Sequence, residues 1–319
     1  MIIRVCDFFP APKVAGCYHD SDDQTCRFVM GSDSRLLLIL PLILVGCSTI
    51  EKLGKKQTTS ESNTERHEQL HSVLWLQTSV EYAGITKGAY ALAALRMDEA
   101  LSDTMWTASL EQLGSAAYAS LPPAVVLDVD ETVLDNSAFQ ARLVEDDLPF
   151  DGNIWNDWVM EEKAGSIPGA LDFTRYAASK GVHVIYLTNR EAGVEPSTEN
   201  NLRALGFPMN SGEHSVISKR ERPEWGSSDK SSRRAFVSER YRVLLLIGDN
   251  YGDFTEEANG SLSERRRSSS NYASYWGKKW IVLPNPMYGT WERALFNYDY
   301  GASESEKIQL KRTNLFTNR

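Results

Sequence analysis

The stretch VVLDVDETVLDN, residues 125–136, constrains this chain more than any other: a hydrophobic run ends directly on Asp128, Asp130, Glu131 and Asp135. Unbroken apolar residues, without polar alternation, read as a strand covered on both faces, as in a parallel sheet. Carboxylates at the end of such a strand are held close together by the backbone. Two of them about 4 Å apart repel by roughly 4 kcal/mol at an effective dielectric of 20, so the cluster demands a compensating cation.

Three further apolar runs of strand length follow: VHVIYLT from 182, VLLLIGD from 243 and KWIVLP from 279. Segments of helical character lie between them, at 170–179, 196–205 and 230–240. Strands alternating with helices predict an α/β fold, a parallel sheet with helices on both faces, in which ligands bind at the carboxyl ends of the strands. The chemistry-bearing residues fall at those ends. Asp128 and Asp130 close the first strand, Thr188, Asn189 and Arg190 the second, and Asp249 a later one, with Asp253 four residues on. Ahead of the sheet, Leu70, Val73, Leu74, Leu76, Tyr82, Ala89, Leu92 and Leu95 recur at helical spacing, which predicts a smaller helical subdomain over 64–120, stopped by Pro122 and Pro123.

An all-oxygen set without His or Cys points to Mg²⁺, a hard cation that takes one or two carboxylates together with a substrate phosphate oxygen. With its charge screened, an aspartate can attack phosphorus and form an aspartyl-phosphate, while a second carboxyl two residues on protonates the leaving oxygen. Asp128-x-Asp130-x-Thr132, Thr188 after a second strand, a later Lys, and Gly248-Asp249-x-x-x-Asp253 resemble the four motifs of haloacid-dehalogenase-like (HAD-like) phosphatases. DVDETVLDN, IPGA at 167, YLTNR, GDNYGDF and LPNPMYGTWE at 283 narrow the resemblance to the class C (subfamily IIIB) acid phosphatases of the lipoprotein e type. These are bacterial outer-membrane lipoproteins that act as 5′-nucleotidases.

The resemblance, which covers residues 64–300, implies a HAD-like Rossmannoid domain over 121–300 and a C-terminal tail over 301–319. It implies Asp128 as nucleophile and Mg²⁺ ligand. Asp130 would be the general acid and base, ligating the metal through its backbone carbonyl. Asp249 would complete the metal site with Asp253 in support, and Thr188 and Asn189 would bind the phosphoryl group. The third motif calls for a lysine at the start of the helix before the last motif. Lys230 fits that place, with Lys219 and Arg233 as competitors, because RERPEWGSS looks like an insertion. Trp155 and Tyr288 would sandwich a nucleobase, since aromatic faces stack on any base.

The beginning of the chain bears on location. Arg35 precedes an apolar run from Leu36 to Val45, too short for a membrane span of about twenty residues. A positive flank, a short apolar core and small residues describe a secretory signal over 1–46, and Leu44-Val45-Gly46-Cys47 resembles a lipobox that would lipidate Cys47. Met30 opens a conventional signal of its own, so residues 1–29 read as a mis-called start or an unstructured extension. Residues 47–63 would be a polar tether to the membrane. All four cysteines, Cys6, Cys17, Cys26 and Cys47, lie at or before the anchor, which leaves no cysteine for a disulfide or metal site beyond it.

Other classes are disfavoured. A net charge of −9 gives no general attraction to nucleic acid, and no Arg-His-Gly triplet of a histidine-type acid phosphatase occurs. The 42% hydrophobic and 24% charged composition is that of globular material. His67 and His71 have zinc-like i, i+4 spacing without a third ligand, so they read as a helix face, and RRRSSS at 265–270 reads as a solvated loop. The alternative from another class is a non-catalytic surface lipoprotein that captures nucleotides or haem.

Overall fold

The computed structural model describes residues 67–210 and 215–318, so the signal, lipobox, Cys47 and tether readings lie outside the described residues. The strands are β1 (Pro123–Leu127), β2 (Leu134–Asp135), β3 (Gly165–Ser166), β4 (His183–Glu191), β5 (Val216–Lys219), β6 (Arg242–Gly248) and β7 (Trp280–Val282). The α-helices are α1 (Leu70–Thr78), α2 (Val80–Ser102), α3 (Ser137–Glu145), α4 (Gly152–Met160), α5 (Ala170–Ser179), α6 (Glu195–Leu205), α7 (Ser231–Ser238), α8 (Leu262–Asn271), α9 (Thr290–Arg293) and α10 (Glu304–Thr313).

Five strands form one sheet in the order β5-β4-β1-β6-β7, every neighbouring pair parallel. Parallel neighbours need long crossovers, which α3 to α5, α6, α7 and α8 supply. β1 lies at the centre, its Val125, Val126 and Leu127 in register with Val184, Ile185 and Tyr186 of β4 and with Leu245, Leu246 and Ile247 of β6. The strand has no polar residue to spare because neither face meets water. Val125 and Leu127 join a cluster with Tyr90, Met97 and Phe173, whereas Ala124 and Val126 join the opposite cluster with Trp225, Phe254 and Trp280. Fully burying each such side chain contributes on the order of 1.5–3 kcal/mol.

β5 was not anticipated. Its run Val216-Ile217-Ser218-Lys219 is short and half polar, as suits an edge strand. The two-residue pairing of β2 with β3 is antiparallel and folds the chain after β1 back over the end of that strand. RRRSSS is not the solvated loop expected from composition: it lies within α8, started by a reciprocal cap between Ser261 and Glu264. Arg265 there stacks on Tyr251 and donates to Thr290 Oγ1 at 2.8 Å.

The helices from 64–120 share the sheet's own core. Val73 and Leu76 of α1 and Tyr82, Tyr90, Ala93 and Met97 of α2 are buried in the cluster that holds Val125 and Leu127. His71 is exposed on α1, and His67 accepts a hydrogen bond from the Gln69 N–H at 3.3 Å. At the other end α10 has no buried residue; Lys311 ties it to Glu292 at 2.8 Å and to Glu68. No helix among the described residues is long and apolar enough to cross a membrane.

Candidate active site

Asp128 follows the last residue of β1, and its N–H donates to Ile247 O of β6 at 2.9 Å, so the sheet ladder runs up to the expected nucleophile. The chain then reverses. Val129 O accepts from the N–H groups of Val133 and Leu134, at 2.9 and 2.8 Å, and Glu131 adopts a left-handed backbone with φ 57°. The turn is braced from α2, where Tyr90 OH donates to Thr132 O at 2.7 Å.

Asp249 and Asp253 arrive on the turn after β6. Asn250 and Asp253 cap each other, the Asp253 carboxylate accepting the Asn250 N–H at 2.9 Å and the Asn250 side chain accepting the Gly252 N–H at 3.3 Å. Gly248 is needed beside them: a Cβ there would stand 2.2 Å from Asp253 Oδ2. Asn285 Nδ2 donates to Asp249 Oδ2 at 2.8 Å and Thr132 Oγ1 to Asp249 Oδ1 at 3.3 Å.

Lys230 immediately precedes α7 and is itself buried. Its ammonium donates to Asp128 Oδ1 and, at 2.7 Å, to Asp253 Oδ1. Asp128, Asp249 and Asp253 offer oxygens that all lie within 4.8 Å of one another. Burial pushes the Asp128 carboxyl up to about 7, Lys230 pulling against that and Asp253 and Asp130 adding to it. Asp249 is driven well above the usual carboxylate range by burial and by Asp253 and Asp128. For Lys230 burial disfavours the charge, but Asp128 and Asp253 outweigh it and hold the ammonium above its ordinary value. Full ionisation of three carboxyls against one ammonium would leave a surplus of negative charge that a cation relieves, and the donors are oxygen alone, so these residues fit a hard divalent cation.

Asp130 stands apart from that trio. Its carboxylate receives Arg190 Nε at 2.9 Å and a second Arg190 nitrogen at 2.8 Å, and Asn136 Nδ2 at 3.0 Å. Thr188, fully buried, accepts the Arg190 N–H at 3.0 Å and points its hydroxyl at Asp130 Oδ2, 3.4 Å away. Asn189 is exposed beside it, and its Oδ1 accepts from Arg233 at 2.6 Å.

Residues 47–291 match the family described as HAD superfamily, subfamily IIIB (acid phosphatase). This chain is a subfamily IIIB acid phosphatase of the HAD superfamily. The phosphatase resembles the solved class C acid phosphatase of Bacillus anthracis, at 34% identity and a TM-score of 0.68, over 78% of this chain and 97% of that one. The same enzyme solved with tungstate bound gives 33% and 0.67. Among curated proteins it is similar to the stem 28 kDa glycoprotein of Glycine max, 23% identical over 166 residues, 51% of this chain and 58% of the relative. A stem 31 kDa glycoprotein of the same plant is 24% identical over 165 residues. The alignments thus span a little more than half of those relatives.

Membership in an enzyme family removes the capture-only reading of the acidic cluster. Of the three candidates for the third motif, Lys230 meets the acid cluster of this phosphatase, while Arg233 donates to the Thr188 carbonyl and Lys219 pairs with Glu191 at 3.6 Å. The supposed insertion is packed, with Trp225 buried against Phe236. Trp155 sits half-buried on α4, its ring 5.0 Å from Phe139 and 5.5 Å from the Arg190 guanidinium. Tyr288 is half-buried in the loop after β7, which Asn285 ties to Asp249.

Arg190, Asn136 and Asn285 received no role from the sequence. Arg190 was visible as a charge at the end of an apolar strand, and Asn136 as the residue closing VVLDVDETVLDN. Asn285 stood inside LPNPMYGTWE without a role of its own.

Proposed function

We propose that this acid phosphatase is a Mg²⁺-dependent 5′-nucleotidase that works through an aspartyl-phosphate on Asp128 and is held to the bacterial outer membrane by a lipid on Cys47. The observation that carries the chemical part is the meeting of Asp128 and Asp253 on one buried ammonium with Asp249 beside them, and Asp130 held separately on Arg190. That separation supports reading one carboxylate as the attacking group and another as the proton carrier.

Asp128, Asp249 and Asp253, with the Asp130 backbone carbonyl, would hold Mg²⁺. When bound, the ion screens the carboxylates from one another and from the phosphate, which lets an anionic nucleophile approach an anionic ester. A carboxylate oxygen of Asp128 attacks phosphorus, and Asp130 gives its proton to the leaving ester oxygen. Asp130 then takes a proton from the water that hydrolyses the aspartyl-phosphate. Lys230, Thr188 and Asn189 bind the phosphoryl oxygens. The tungstate bound by the Bacillus anthracis enzyme, an oxyanion of phosphate-like shape, supports a phosphoryl site of this kind.

The nucleotide preference rests on Trp155 and Tyr288, two half-buried aromatic faces carried near the acid cluster through Arg190 and Asn285. The anchor rests on the sequence before residue 48 alone.

The deciding experiment measures phosphate release from nucleoside 5′- and 3′-monophosphates and an aryl phosphate at pH 5–7, with Mg²⁺ or EDTA. The 5′-nucleotides should turn over fastest and only with the metal, and Asp128→Asn should lose at least about 10⁴-fold in kcat. Equal rates in EDTA would remove the cation, and equal rates on all esters would remove the nucleotide preference. Radiolabelled palmitate should enter the parent chain in a bacterial host and not Cys47→Ala.

A further inference from the structure

The environment of Asp130 is lopsided. Its Oδ1 receives three donors: Arg190 Nε at 2.9 Å, a terminal Arg190 nitrogen at 2.8 Å and Asn136 Nδ2 at 3.0 Å. Among the described residues its Oδ2 has only the Thr188 hydroxyl, 3.4 Å away. A carboxylate oxygen with three donors has no lone pair left for a fourth partner.

The donors are themselves fixed. Arg190 is 2% exposed, and its remaining terminal nitrogen donates to Thr198 Oγ1 at 3.2 Å. Asn136 is fully buried, and its Oδ1 accepts from Trp158 Nε1 at 2.9 Å and from Arg190 at 3.2 Å, which also fixes which way its amide points. Buried, fully partnered polar networks are rigid, because a partner lost there is not replaced by water.

We propose that Arg190 and Asn136 are positioning residues that saturate Asp130 Oδ1 and so commit proton exchange with substrate to Oδ2. The inference rests on the reading of Asp130 as the general acid and base. In the first step the bond from an Asp128 oxygen to phosphorus forms as the bond from phosphorus to the leaving oxygen breaks. The proton on Asp130 Oδ2 passes to that leaving oxygen, whose freed electron pair makes the new O–H bond. An Asp130 free to rotate would present its proton in the right direction for only part of the time.

The test uses the full-length chain with Mg²⁺ and a series of phosphate monoesters from alkyl phosphate and a nucleoside 5′-phosphate to 2,4-dinitrophenyl phosphate. The quantity read is kcat/KM, which reports the first phosphoryl transfer. Arg190→Lys keeps a charge but cannot deliver two N–H groups side by side, and Asn136→Ala removes the other donor. Each should lose about 10²-fold on the poor leaving groups and less than about threefold on dinitrophenyl phosphate, which needs no proton to depart. Their dependence on leaving-group acidity should run parallel to that of Asp130→Asn.

The melting shift produced by Mg²⁺ should match that of the parent, since both residues meet Asp130 at its side chain, away from its backbone carbonyl, and neither touches Asp128, Asp249 or Asp253. A uniform loss across the series, or no loss while Asp130→Asn is steep, overturns the positioning role. A flat series for Asp130→Asn overturns the general-acid reading itself. Should Arg190→Lys not fold, Asn136→Ala and Thr198→Val, which frees the far side of the guanidinium, carry the same comparison.

Discussion

The burial that would suit Asp128 to its proposed role comes at an energetic cost that pH can read. Burial pushes its carboxyl up to about 7 from 3.8. Between those values the folded chain holds a proton the unfolded chain has released, so this group's contribution to stability falls as pH rises through the window and is constant above it. A divalent cation competes for the same carboxylates, so a fixed Mg²⁺ concentration should raise Tm more at pH 8 than at pH 5. An equal shift at both values would place the cation elsewhere. Gly248→Ala sets a Cβ 2.6 Å from Asp253 Cγ and should cost about 1–3 kcal/mol, seen as a lower urea midpoint, and weaken Mg²⁺ binding by calorimetry. The acidic residues were legible in the sequence because a charged carboxylate at the end of a buried strand is too unfavourable to stand without a partner. Arg190 and Asn136 were not, because their meaning lies in a partner. The contact between residues 190 and 130 is made by the β1–β4 pairing, which no local pattern encodes.

Among elements, the long apolar strands and the helices between them were readable because period and length agree. Residues 230–240 were expected to be helical and α7 spans Ser231–Ser238. The misses follow from weak local signal. β5 is a four-residue edge strand, and α8 is rich in arginine and serine, its start set by the Ser261 and Glu264 cap rather than by an apolar stripe. What α2 contributes was equally hidden, since its period announces a buried face without saying what lies beneath. It braces the turn after β1: Tyr90 OH donates to Thr132 O from the buried side. Tyr90→Phe leaves that carbonyl unpaired and should cost about 1–3 kcal/mol in a denaturant titration, whereas a surface tyrosine replaced in the same way should cost almost nothing.

For the whole molecule, stability is distributed unevenly between the two ends of the described chain. The α1 and α2 helices contribute Leu76, Tyr82 and Met97 to the cluster that packs β1, whereas α10 buries nothing. A chain truncated to begin at residue 104 should therefore show no cooperative melting. One ending at residue 302 should melt within a few degrees of the parent. The Asp128 amide is hydrogen-bonded to Ile247 O between the two most buried strands. No local fraying can release it, so its hydrogen should exchange with deuterium only through global opening, among the slowest in the chain. The proposed nucleophile then has no private way to fail. Heat should extinguish catalysis and the circular dichroism of the sheet along one curve, making residual activity a direct count of molecules still folded.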